Sequence, residues 1–225
     1  MSGNFENRRK RSSVSKALML VAAFVLVVGI SVTGTLAWLT AQTPEVKNTF
    51  TSAELFADPT NDFTLWEHEA TDTDKDGRYE LNNQKEVTGN TYDILPGVNI
   101  SKNPTVDVVN LEEHAYLYIK VTGTLPAGMS YSIDSSNWEQ LTGSNNVWVY
   151  KGANAENNVI KASDDSKKSF TANILTDQQI VVDSSYNGTA DDITLTFNAY
   201  MVQATGNGDN AAAAWANTYG KPATP

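Results

Sequence analysis

The sequence predicts an all-β protein: a jelly-roll-like antiparallel β-sandwich with a short C-terminal helix, preceded by an N-terminal signal or transmembrane helix. Three observations support this. Apolar and polar residues alternate with a period of two in several stretches. Clusters of Gly, Asn, Asp, Ser and Pro separate those stretches, and no long segment repeats apolar residues at helical spacing.

The clearest strand is residues 115–121, where Ala115, Leu117, Ile119 and Val121 face one way and Tyr116, Tyr118 and Lys120 the other. Residues 193–201 alternate likewise, with Ile193, Leu195, Phe197, Ala199 and Met201 on one face. This is the pattern of half-buried antiparallel strands. Shorter runs at 49–56, 63–66, 106–109, 131–133, 147–150, 170–175 and 180–182 read as further strands. Turn clusters at 95–97, 142–146, 184–188 and 206–209 divide them. Trp148 and Tyr150 alternate with Val147 and Val149, so that strand is expected to show aromatic side chains on one sheet surface. The alanine-rich stretch 210–217 is the one persuasive helix.

Composition narrows the function classes. Hydrophobic residues make up 40% of the 225, enough for a real core. Five of the 16 basic residues lie in the first sixteen positions, so the rest of the chain carries about −14. A surface that acidic repels nucleic acid and anionic lipid and attracts cations. There is no cysteine, which removes disulfides and thiolate chemistry and suits an exported protein of a Gram-positive bacterium.

The N-terminus has three parts. A basic head (Arg8, Arg9, Lys10, Arg11, Lys16) precedes the apolar run 17–30, and small residues follow up to Ala37. That arrangement is a secretory signal peptide, with Thr35 and Ala37 as the small pair before a cut at Trp38 and Ala41 as a second option. The uncharged span 17–39 is also long enough to cross a bilayer as a retained anchor, the one route by which the chain would touch membrane. Either way the bulk of the chain lies outside the cell. The organisation expected is a signal segment at 1–38, an N-terminal arm at 39–50 and a β-sandwich at 51–225. No sorting signal follows Gln203, so wall anchoring through that end is not expected.

The junction Gly34-Thr-Leu-Ala-Trp-Leu-Thr40, followed by Asn48-Thr-Phe-Thr-Ser-Ala-Glu-Leu55, resembles the TasA/camelysin family, whose members are exported through a dedicated SipW-type signal peptidase. Ala53 stands where that family usually has glycine. Leu95-Pro-Gly-Val-Asn-Ile-Ser-Lys102 is similar to its Pro-Gly turn with a following lysine, and the strand at 200–204 with the helix around Trp215 is similar to its C-terminal end. The resemblance implies a jelly-roll domain secreted to the cell surface or biofilm matrix. It also implies subunits that polymerise into fibres, with copies of the same chain or other matrix proteins as partners. For some members it implies a metalloprotease.

That last implication finds little support in the residues. Only His68 and His114 exist, His68 lacks a histidine at i+4, and HExxH is therefore absent. Both histidines read as surface residues. No Gly-x-Ser-x-Gly elbow occurs. The expectation is a non-enzyme with no catalytic residues.

The sharpest chemical motif is a calcium-type loop. Asp72, Asp74 and Asp76 occupy loop positions 1, 3 and 5, and Gly77 takes position 6. Arg78 offers a carbonyl at position 7, Glu80 falls at position 9, and Asn83 replaces the usual bidentate Glu at position 12. Without flanking helices this would be an isolated structural calcium loop, with a Kd on the order of 0.1–1 mM as in extracellular modules. The plainer alternative is an acidic, solvated turn. Three function classes follow: a fibre subunit assembling through the arm, a monomeric surface binding module, and a secreted metalloprotease.

Overall fold

The computed structural model describes residues 40–42, 55–187, 193–208 and 210–220. The chain divides into two units, Met1–Ala37 and Trp38–Pro225, and all described residues belong to the second. The leader, its exit residues Thr35, Ala37 and Trp38, most of the arm and most of the strand expected at 49–56 lie outside the described residues.

In chain order, β1 (Thr40–Gln42) and the single-turn helix α1 (Pro59–Asp62) precede β2 (Phe63–Thr71) and β3 (Glu80–Val87). Then come β4 (Ile100–Ser101), β5 (Thr105–Val108), β6 (Ala115–Thr122), β7 (Met129–Ser130) and β8 (Trp138–Gln140). They are followed by β9 (Val147–Tyr150), β10 (Ala155–Glu156), β11 (Val159–Ile160), β12 (Phe170–Asn173) and β13 (Gln179–Val182). The last elements are β14 (Thr196–Gln203) and helix α2 (Ala211–Tyr219). All pairings are antiparallel. The protein is mostly β, with one short C-terminal helix, as the alternation predicts.

The largest sheet runs β1-β14-β6-β11-β10, with β9 also on β6 and β8 on β9. A second sheet runs β12-β5-β2-β3, and a third β4-β13-β7. The first two share a core. Leu117 and Ile119 of β6 and Ala199 and Met201 of β14 meet Phe63, Val106 and Val108 from β2 and β5, joined by Ala172 of β12.

The other face of β6 is also covered. Tyr116, Tyr118, Tyr200 and Val202 lie beneath Ala211, Ala214 and Trp215 of α2. The Tyr118 hydroxyl donates to the Ala211 carbonyl at 2.7 Å, and Trp215 sits 5.1 Å from Tyr118 and 5.2 Å from Tyr200 between ring centroids. Burial pushes the Tyr118 hydroxyl pKa up, so it stays protonated and able to donate. Asn210 caps the helix by accepting from the Ala213 N–H at 3.0 Å. The half-buried expectation for 115–121 is thus corrected: a tyrosine has polar and apolar ends, and here its ring is buried while its hydroxyl finds a carbonyl.

Two further expectations change. Tyr150 faces the main core and stacks on Phe170 at 4.9 Å, and Trp148 is partly buried against the same core. The face expected to show aromatics to solvent is therefore the inner one, and Val147 and Val149 lie under the helix. Strand β3 was not expected at all. Its sequence ELNNQKEV has no apolar alternation, and it is held by pairing to β2 across a register shift at His68/Glu69. Among the described residues, no helix is long and apolar enough to cross a membrane.

Candidate functional site

The acidic loop connects β2 to β3. Thr71 and Glu80 are directly paired, so residues 72–79 must reverse the chain between two antiparallel strands. The reversal needs left-handed backbone, and Lys75 (φ 62°) and Gly77 (φ 82°) supply it. At Gly77 a Cβ would also lie 2.2 Å from Leu95 Cδ1, so any side chain there would both strain the backbone and displace Leu95.

The three aspartates converge. One oxygen from each of Asp72, Asp74 and Asp76 lies within 4.8 Å of the others. Each carboxylate is oriented by backbone: Asp72 accepts from Asp76 N (3.2 Å) and Gly77 N (2.9 Å), Asp74 from Asp76 N (3.3 Å), and Asp76 from Arg78 N (2.8 Å). That last bond, aided by the Arg78 charge, holds the Asp76 carboxyl below the usual carboxylate range. The Arg78 guanidinium sits 3.2 Å from Asp76 Oδ2 as an internal counter-charge. The three carboxylates lie at the surface, where water and salt screen their mutual repulsion.

Glu80 opens β3 and does not join this carboxylate cluster. Asn83 lies three residues further along the strand, a rise of about 10 Å. The structure therefore brings together positions 1, 3 and 5, while positions 9 and 12 follow a strand where an EF-hand would begin a helix.

The histidines are not the surface residues expected. His68 lies edge-on to Trp66, and its Nδ1 is 2.7 Å from Asn103 Nδ2. His114 Nδ1 accepts from the Ala162 N–H at 3.1 Å. Both are half-buried in structural roles. Among the described residues, the aspartate triad is the one group of three potential metal ligands, and neither histidine belongs to it.

A second feature lies at the edge of the large sheet. Residues 40–42 of the arm form β1, paired antiparallel to β14 in the register Thr40↔Val202, Ala41↔Met201, Gln42↔Tyr200. Ala41, the second expected cleavage residue, is the middle of this strand. The pairing could not be found from sequence, because a three-residue strand carries no usable period. The β14 edge nevertheless accepts a strand, and the arm supplies one.

Compared with known proteins, the chain matches no family model, no curated protein and no solved structure.

Proposed function

We propose that this protein is an exported structural subunit of a surface or matrix fibre, assembled by passing the N-terminal arm of one copy to the β14 edge of the next. The observation that carries this is the pairing of β1 with β14. Strand β1 stands at the sheet edge, where one strand can exchange for another. Replacing the chain's own arm with a neighbour's preserves every contact, so exchange costs little beyond association. Because donor and acceptor surfaces differ, the contact is heterologous and propagates into a filament.

Export supplies the timing. While the apolar leader is attached, the arm is tethered at the membrane, and cleavage after Ala37 frees it with β1 whole. A jelly-roll connectivity, secretion through a SipW-type peptidase and a calcium ion on Asp72, Asp74 and Asp76 belong to the same reading. They rest on the leader junction, the alternating strands and the converging carboxylates.

The arm paired within one chain is also what a monomeric surface module would have, and that is the second reading. Electron microscopy with size distribution separates the two. Mature protein is expected to form filaments, and deletion of residues 38–47 is expected to leave soluble monomers. Filaments of unchanged length from the deletion variant would rule out the arm as donor.

A further inference from the structure

Three polar side chains from separate parts of the chain meet beside an apolar cavity, apart from both the aspartate loop and the strand edge. Glu67 on β2 accepts from Lys102 Nζ at 2.6 Å on one oxygen and from Asn90 Nδ2 at 3.0 Å on the other. The Lys102 and Glu67 side chains are only 10% and 5% exposed. The ammonium also lies 5.8 Å from the Tyr92 ring centroid and 5.7 Å from that of Phe197. The adjoining cavity, about 510 Å³, is lined by Asn90, Tyr92 and Lys102 together with apolar side chains including Ile100, Leu125 and Ile180.

A buried ion pair needs only Glu67 and Lys102. The third member adds chemistry. The Asn90 carboxamide is locked in place: its oxygen accepts from the Ala70 N–H at 2.9 Å, and its nitrogen also donates to the His68 carbonyl at 2.9 Å. The amine and the amide nitrogen thus share the two oxygens of one carboxylate, while a backbone donor already sits on the amide oxygen. Acyl transfer needs those four parts: a nucleophile, a proton carrier, an acyl carbon with a leaving nitrogen, and a donor where negative charge develops.

We propose that Lys102 and Asn90 become joined by an intramolecular isopeptide bond, with Glu67 as proton carrier and the Ala70 N–H as oxyanion donor. A proton passes along the 2.6 Å contact from the Lys102 ammonium to Glu67, giving a free amine and a carboxylic acid. The amine lone pair forms a bond to Asn90 Cγ, and the carbonyl π pair moves onto Oδ1, where the Ala70 N–H holds it. Glu67 gives its proton to the departing Nδ2 and takes one from the new N–C bond's nitrogen. The carbonyl reforms, the old C–N bond breaks and ammonia leaves through the cavity. No oxidant, reductant or co-reactant enters. The bond closes a ring from Asn90 to Lys102 around the turn at Gly97 and fastens that turn beside β2.

Peptide mapping of the full chain recovered from expressing cells tests this. A Lys102 that carries an amide is no longer a trypsin site. The digest is therefore expected to give one fragment spanning residues 86–120, lighter than its sequence mass by one ammonia, about 17 Da. Tandem spectra of that fragment should lack single-break ions between Asn90 and Lys102, because both ends of the segment are tied. Cleavage after Lys102 with residues 86–102 at full mass overturns the proposal, as does an ammonia loss that maps to another asparagine. Glu67→Gln is expected to restore the full mass and cleavage at Lys102. If that variant still forms the bond, the role given to Glu67 is wrong; if it fails to fold, the wild-type digest decides alone.

Discussion

Replacing Trp215 with alanine is expected to loosen α2 from the outer face of the large sheet. Trp215 is buried and touches three rings, with centroids 5.1 Å from Tyr118, 5.2 Å from Tyr200 and 4.6 Å from Tyr219. Truncating a buried tryptophan costs about 3–5 kcal/mol, and each lost ring pair contributes about 0.5–1.5 kcal/mol beyond its area. At about 2–4 °C per kcal/mol for a domain of this size, the midpoint should fall by roughly 6–20 °C. Thermal and urea melts followed by circular dichroism read this. Tyr118→Phe, which leaves the Ala211 carbonyl without its donor, should cost about 1–3 kcal/mol. The two changes touch the same contact and should not add: their coupling should exceed about 0.5 kcal/mol in a double-mutant cycle. A loss below about 1 kcal/mol for Trp215→Ala, or strict additivity, would refute the idea that the helix is held by these rings.

Further outcomes are expected elsewhere. Millimolar calcium should raise the melting temperature of the mature domain, and Asp72→Ala with Asp74→Ala should abolish the rise; identical responses would leave the loop an acidic turn. The Asp76 carboxyl should titrate below the ordinary aspartate range by NMR. Arg78→Ala should retain most of that shift, because the backbone N–H of residue 78 is its main cause. Since the folded-state pKa is the lowered one, the stabilisation is present above the unfolded value and is lost as pH falls through the folded one. Mass spectrometry of secreted protein should place the mature N-terminus between Trp38 and Thr43, and retention of residues 1–16 would favour the anchor.

The strands legible in the sequence are those whose two faces differ in chemistry. Residues 147–150 match β9, and the strand expected at 115–121 extends by one residue in β6. What alternation did not tell is what covers the second face, because tyrosine serves equally well in water and under a helix. Strand β3 was illegible for the opposite reason: ELNNQKEV lacks an apolar face, and its partner β2 alone determines it. The aspartate loop was legible because its ligand spacing is local. Glu67, Asn90 and Lys102 were not, since their meeting depends on how β2 and two later segments pack. Lys102 stood out only as the end of the Pro-Gly turn segment, and Asn90 lies in an ordinary polar stretch.

The natural chain has no cysteine, which opens a direct test of arm exchange. Ala41 and Met201 are register partners across the edge of the large sheet. Directly opposed Cα atoms on antiparallel strands are about 4.5–5.5 Å apart, within disulfide reach. Protein matured by the cut after Ala37, which keeps β1, and carrying Ala41→Cys and Met201→Cys should therefore be oxidised after assembly and run on a denaturing, non-reducing gel. Arm exchange predicts a ladder of covalent multimers that collapses to one band on reduction. A single monomeric band whose cysteines are fully oxidised, from a sample with filaments visible by microscopy, would place the arm on its own domain and contradict the account.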